Sequence, residues 1–407
     1  MKQTPHLAAG ALALLAALMA AIAFTIYAQR FETKYVHAIA GVDHSAINNG
    51  SELERLAIKQ DDLLMIYGAS ELVLLDTKYQ ANRFFSTYPT GFMVFNVATK
   101  GGSALTLAQK FAGLGDDLRG RRVVLALGPA IMTMAPYGEV NTRHYNANFS
   151  QLNALEMAFS PDLSMETKRL AAGRMLDFSD SLKDTPFIKF TLERLAGNSL
   201  ADQILYTLAW PLGRTQIVIL RLQDHYATFD FIRHNLSAEQ VNIKHIPQQI
   251  DWDALVPVAE KEQIHSTDSN LLDVDNSQWP KIKELFINPV SPGAKDTEFI
   301  QDVESAREWE DIDIALRVIN ELGGNVIVMS APMNVPLWET IGVSEHAQNT
   351  YYEKLHEVVE PYGLPVIDLR QYGRVKYFSM DLASHASRKG WIYVDRTLDA
   401  IYHGTLP

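Results

Sequence analysis

The 407-residue sequence contains no cysteine. That absence excludes disulfides, thiolate zinc sites, iron–sulfur ligation and a cysteine nucleophile together, while leaving the redox compartment open. Basic residues are also in deficit, 36 Lys and Arg against 48 Asp and Glu, for a net charge of −12. A protein built to grip phosphate backbones carries the opposite balance, so no nucleic acid partner is expected. Paired histidines are missing too. None of the 12 histidines has another at i+2 or i+4, and no His-Glu-x-x-His string occurs, so the expectation is no metal and no cofactor.

Long hydrophobic runs are nearly absent, with one exception. Leu7 to Ala28 contains Thr25 as its only plainly polar side chain, and as a helix it reaches about 33 Å, the hydrocarbon thickness of a bilayer. A cleavable signal has a shorter apolar core of about 7–15 residues and a small-residue cleavage site, which Ile26-Tyr27-Ala28 does not supply. Residues 1–30 therefore read as a membrane anchor and 31–407 as one domain on one side of the membrane. Lys2 on one flank against Arg30 and Lys34 on the other leaves the positive-inside tally nearly even.

The remainder is an ordinary globular composition. After a polar connection at Ala40–Asn49, short apolar runs alternate with helix-period segments, the pattern of a parallel sheet with crossover helices. The expected strands are Leu63–Tyr67, Gly91–Val97, Arg122–Leu127, Asn325–Met329 and Pro365–Leu369, all rich in residues suited to burial on both faces. Expected helices are Ser103–Leu118, Ser344–Val359 and a terminal one from about Lys389 to Tyr402. Between the third and fourth strands lies an insertion, at about residues 140–300. It reads as helical over 150–172, 187–195 and 199–235, and as proline-punctuated loop over 251–295. The apolar stretch Ala201–Leu222 reads as a layer packed on the sheet, a membrane-facing surface being the alternative. The acidic run Glu304–Asp313 reads as a solvated helix face.

Sites in open α/β sheets form at the carboxyl ends of strands. The first expected strand ends in Gly68-Ala69-Ser70-Glu71-Leu72, where a serine flanked by a small residue is exposed for attack or caps a helix. A serine nucleophile needs a base, and the base needs an orienting carboxylate. His385, four positions after Asp381 in the loop before the terminal helix, is the candidate base, returning over the sheet edge that carries Ser70. The second strand leads into Gly101-Gly102-Ser103, whose amides are candidate donors to an oxyanion.

Small-small-Ser after the first strand, a glycine turn after the second and an Asp/His pair before the last helix resemble the layout of the SGNH (GDSL-like) hydrolase superfamily. Gly68-Ala69-Ser70-Glu71-Leu72 resembles the Gly-Ser-Ser-Glu-Leu block of the DltD family. Pro332-Met333-Asn334 with Trp338, Thr340 and Gly342 is similar to that family's Pro-Val-Asn segment, and Tyr377-Phe378, Asp381, His385 and Lys389-Gly390-Trp391 are similar to its C-terminal block. The resemblance implies an α/β three-layer sandwich of SGNH type, with a central parallel sheet, a large mostly helical insertion and one N-terminal transmembrane helix.

For function it implies a serine-dependent acyltransferase that esterifies teichoic acid or a related cell-surface polymer with D-alanine. Ser70, His385 and Asp381 would be catalytic, and Gly101 and Gly102 would serve the oxyanion. The implied partners are a membrane-bound O-acyltransferase and a small membrane peptide, besides the acyl donor and the polymer. The implied location is the cell membrane, single-pass, with the N-terminus cytoplasmic and the catalytic domain outside. An O-acetyltransferase or esterase of envelope polysaccharide, or a non-catalytic membrane scaffold, would share these features. Two departures stand out. The family spaces acid and base as Asp-x-x-His, whereas three residues separate Asp381 from His385, and Gly128-Pro129-Ala130 occupies the place of the superfamily's Gly-x-Asn oxyanion block.

Overall fold

The computed structural model describes residues 5–42, 51–75, 77–133, 142–242, 246–288 and 290–405. Most of the connection expected at Ala40–Asn49, from residue 43 on, and the expected start of the insertion near residue 140 lie outside the described residues.

Five strands form the sheet: β1 (Leu63–Gly68), β2 (Met93–Ala98), β3 (Arg122–Leu127), β4 (Asn325–Ser330) and β5 (Val366–Asp368). All neighbours pair in parallel, in the order β2-β1-β3-β4-β5. Alternation along β1 divides the core. Met65 and Tyr67 join Phe95, Phe111 and Val123 on one side, while Leu64 and Ile66 join Phe84, Val94 and Leu398 on the other. Helices Ala104–Leu114 and Glu308–Leu322 cover the first side, and Ala81–Thr87 with the terminal helix Arg388–His403 cover the second. The chain leaves β1 for β2 on one flank and returns to β3 on the other. The C-terminal ends of β1 and β3 are therefore the switch point, where open parallel sheets hold their ligands.

The N-terminal helix runs unbroken from Pro5 to Ala40. It is long and apolar enough to cross a membrane, and its last turns belong to the globule. Val36, Ile39 and Ala40 are fully buried, and Glu32 receives the His225 Nδ1–H at 2.9 Å from the long helix Leu200–Asn235. That long helix packs inward through Tyr206, Ala209, Gly213 and Ile217 while Leu208 and Leu212 face outward.

Two expectations are corrected. Residues Trp252–His265 form a helix and not a loop. Its N-terminus is capped by the Asp251 carboxylate, which accepts the Ala254 N–H at 3.0 Å, and Leu255, Val256 and Ala259 join the apolar cluster on the second side of the sheet, against the terminal helix. These gains outweigh one interior proline, Pro257, whose cost is about 3 kcal/mol. The acidic run is not wholly solvated either. Glu308 and Asp311, one helical turn apart and level with Ile312, are 3% and 0% exposed. Arg174 answers Asp311 with two hydrogen bonds, Nε to Oδ1 at 2.8 Å and a guanidinium N–H to Oδ2 at 3.2 Å. Such a fork is the arrangement that makes a buried carboxylate tolerable.

Candidate active site

Beyond Gly68 the chain makes a single 3-10 turn, Ser70–Leu72. Its backbone is held from several directions: the Ala69 N–H donates to Glu71 Oε1 at 2.5 Å, and the Leu72 carbonyl accepts from both Gln80 Nε2 at 2.6 Å and Asn96 Nδ2 at 3.1 Å. Ser70 opens the turn, so its N–H has no acceptor within it.

His385 arrives from 315 positions away, with Nε2 2.9 Å from Ser70 Oγ. Its Nδ1 lies 2.6 Å from Asp381 Oδ2, and its own N–H donates to Asp381 Oδ1 at 3.2 Å. A carboxylate only accepts, so Nδ1 carries the imidazole proton and Nε2 is left to accept the Ser70 hydroxyl. Asp381 and His385 are 5% and 8% exposed. Burial alone would lower the His385 pKa, but the charge and hydrogen bond of Asp381 outweigh it, with Glu71 adding and Lys281 opposing, and the net direction is upward.

The extra residue between acid and base is absorbed by the backbone. Ser384 adopts φ +67°, a left-handed conformation that a β-carbon disfavours. This lets the loop fold back: Met380 N–H donates to the His385 carbonyl at 2.8 Å, and Trp338 Nε1–H donates to the Leu382 carbonyl at 3.1 Å. Trp338 sits on the short helix Val335–Thr340, whose N-terminus Asn334 caps through the Leu337 N–H at 3.3 Å. On the other side, Ser387 Oγ caps the terminal helix through the Gly390 N–H at 3.1 Å. A Cβ on Gly390 would lie 2.1 Å from the Phe378 carbonyl oxygen, so only glycine lets the helix seat against this loop.

The glycine pair after β2 lies beside the Ser70 turn, since a Cβ on Gly102 would be 3.5 Å from Ala69 Cβ. The two glycines are not equivalent. The Gly102 N–H donates to the Thr99 carbonyl at 3.1 Å. Gly101 has φ +71°, and its carbonyl accepts from Asn148 Nδ2 at 3.2 Å. The helix that follows is fixed from behind by buried Glu308, whose Oε1 accepts the Ala104 N–H at 2.6 Å. Burial, and then the neighbouring Asp311, push the Glu308 carboxyl well above the usual carboxylate range.

Three features here were missed in the sequence. Glu308 was hidden in an acidic run, Trp338 has no local sign of its hydrogen bond to the loop, and Glu71 was passed over beside Ser70. The one local signal is a carboxylate three positions after Gly68, whose Oε1 a Cβ there would meet at 2.5 Å.

Comparison with known proteins gives the following. The family model described as "DltD protein" matches residues 43–403. "Protein DltD" of Bacillus subtilis (strain 168) is 25% identical over 354 residues, covering 87% of this chain and 86% of the relative. "Protein DltD" of Staphylococcus aureus (strain NCTC 8325 / PS 47) is 23% identical over 339 residues, covering 82% and 79% respectively.

Proposed function

The chain belongs to the DltD family, which acts in the D-alanylation of teichoic acids, and from that premise we propose that it carries the alanyl group on Ser70. The observation that supports this reading is the run of contacts Ser70 Oγ, His385 Nε2, His385 Nδ1 and Asp381 Oδ2, at 2.9 and 2.6 Å, at the carboxyl end of β1.

In the first half-reaction Ser70 Oγ attacks the carbonyl carbon of an activated D-alanyl donor as His385 Nε2 takes the hydroxyl proton. Asp381 holds the tautomer and steadies the imidazolium that forms. The negative charge on the carbonyl oxygen is met by backbone N–H groups, those of Ser70 and Gly101, because Gly102 is engaged elsewhere. Collapse of the intermediate breaks the bond to the donor's leaving group, which leaves with the proton from His385. In the second half-reaction a polymer hydroxyl takes the place of water: His385 removes its proton, its oxygen attacks the alanyl ester, and Ser70 Oγ leaves with the proton returned by His385.

In this reading residues 1–30 form the anchor, with the N-terminus in the cytoplasm and residues 31–407 outside. The partners are a membrane-bound O-acyltransferase and a small membrane peptide, with the cell-surface polymer as acceptor. The test is Ser70→Ala in a strain from which the native chain is deleted: surface D-alanine esters disappear while the protein is still present at normal level. Ester content equal to wild type refutes the proposal. Offering the purified protein an activated acetyl ester beside a D-alanyl donor separates this reaction from envelope O-acetyl transfer.

A further inference from the structure

Glu71 takes no step in the reaction above, yet its carboxylate is turned back into the base of the Ser70 turn. Oε1 accepts the Ala69 N–H at 2.5 Å. The room it occupies exists because Gly68 lacks a side chain, whose Cβ would lie 2.5 Å from Oε1, while a Cβ on Gly128 would sit in ordinary contact, 3.4 Å from Oε2. Gly68 ends β1 and Gly128 follows β3, the adjacent strands of the switch point. The carboxylate thus sits between the ends of these two strands, bonded to the peptide that precedes Ser70.

We propose that Glu71 is a positioning residue for Ser70: it fixes the Ala69–Ser70 peptide so that Oγ meets His385 Nε2, and it places a second negative charge, beside that of Asp381, in the field of His385. The inference rests on the serine–histidine reading of the site. The charged groups facing His385 are Asp381 from its own loop, Glu71 from the turn after β1 and Lys281 from the insertion. The titratable groups facing Glu71 are His385 and, from the helix Glu345–Val359, the neutral phenol of Tyr351. Burial raises the Glu71 carboxyl, and the Ala69 N–H and His385 draw it back.

The test uses the full-length protein in detergent and the rate of covalent labelling by a fluorophosphonate probe as a function of pH. Glu71→Ala removes acceptor and charge, and lowers the plateau rate on the order of 100-fold, as expected for a nucleophile displaced by about 1 Å. Glu71→Gln keeps the size and an acceptor oxygen and loses the charge. Its labelling midpoint moves to lower pH than wild type, because His385 no longer feels the second anion. Glu71→Ala labelling within about twofold of wild type, or an unchanged midpoint in Glu71→Gln, overturns the proposal. A purely structural role leaves that midpoint in place, so Glu71→Gln decides even if Glu71→Ala does not fold. Wild-type protein that takes no label at Ser70 overturns both this inference and the serine reading. Normal wild-type labelling with unaltered Glu71 variants overturns this inference alone.

Discussion

Asparagine in place of Asp381 keeps the side-chain shape and removes the charge. In the native loop the two carboxylate oxygens accept two N–H groups of His385, from Nδ1 at 2.6 Å and from the backbone at 3.2 Å. An asparagine has one oxygen, so its amino group must face one of those donors or force the ring to give up its Nδ1 proton. In the second case Nε2 carries the proton and no longer accepts from Ser70. Both residues are buried, so solvent compensates little. The lost charge-assisted hydrogen bond is worth about 1.5–3 kcal/mol in stability, and the wrong tautomer lowers the reaction rate on the order of 10⁴-fold, about 5 kcal/mol of barrier.

The assay is the second-order rate of fluorophosphonate labelling at Ser70, with thermal unfolding to establish that the variant is folded. Its pH dependence adds a second reading. Asp381 holds His385 above its ordinary pKa against the opposite pull of burial, so labelling in wild type is lost as pH falls through that raised value. The variant's midpoint lies lower. For stability the sign is reversed: the raised His385 favours the folded state at low pH, and the contribution fades as pH rises through the folded pKa. Labelling of Asp381→Asn within about tenfold of wild type refutes the argument that the wider acid–base spacing leaves Asp381 in its orienting role.

Three other outcomes are expected. Gly390→Ala puts a Cβ 2.1 Å from the Phe378 carbonyl, so the His385 loop must shift, costing about 1–3 kcal/mol by overpacking; thermal unfolding and labelling should fall together. Ser384→Gly relieves a left-handed residue whose buried hydroxyl has no hydrogen-bond partner among the described residues, and should stabilise by about 1 kcal/mol with labelling retained, as read by denaturant unfolding. Asp224 is pushed up to about 7, chiefly by burial and against the Glu52 N–H that it accepts. The wild-type protein therefore loses stability as pH rises from the ordinary carboxylate range to about 7, and Asp224→Asn should flatten melting temperature across that window and raise it at pH 8.

Much of the fold was legible because its signals are local. The five strands lie within one or two residues of where apolar runs bounded by turn residues put them, and Arg122–Leu127 coincides with its prediction. The helix Trp252–His265 is hard to read locally because prolines punctuate residues 251–295, whereas its apolar side is matched only by the terminal helix and by Phe84 and Phe85, distant in sequence. The acidic run misled for a related reason. Charge is visible in sequence, but the Arg174 that makes Asp311 tolerable inside lies 137 positions away.

The sequence by itself determined an N-terminal apolar helix long enough to cross a membrane, the parallel α/β class, and the residue types at the candidate site: Ser70 at a strand end, Asp381 and His385 in one loop, glycines after the second strand. Each depends on a few consecutive residues whose spacing dictates helix, strand or turn. Tertiary structure alone decided the strand order that makes the β1 and β3 ends the switch point, and the left-handed Ser384 that brings Asp381 onto His385 despite the longer spacing. It also decided that the Gly102 N–H meets the Thr99 carbonyl, and that the Glu71 carboxylate folds back beside Gly68 onto the Ala69 N–H. These depend on which surfaces pack together. A hydrogen bond between residues 315 positions apart is set by the core that brings the strand ends and loops to one place, and no local pattern contains that core.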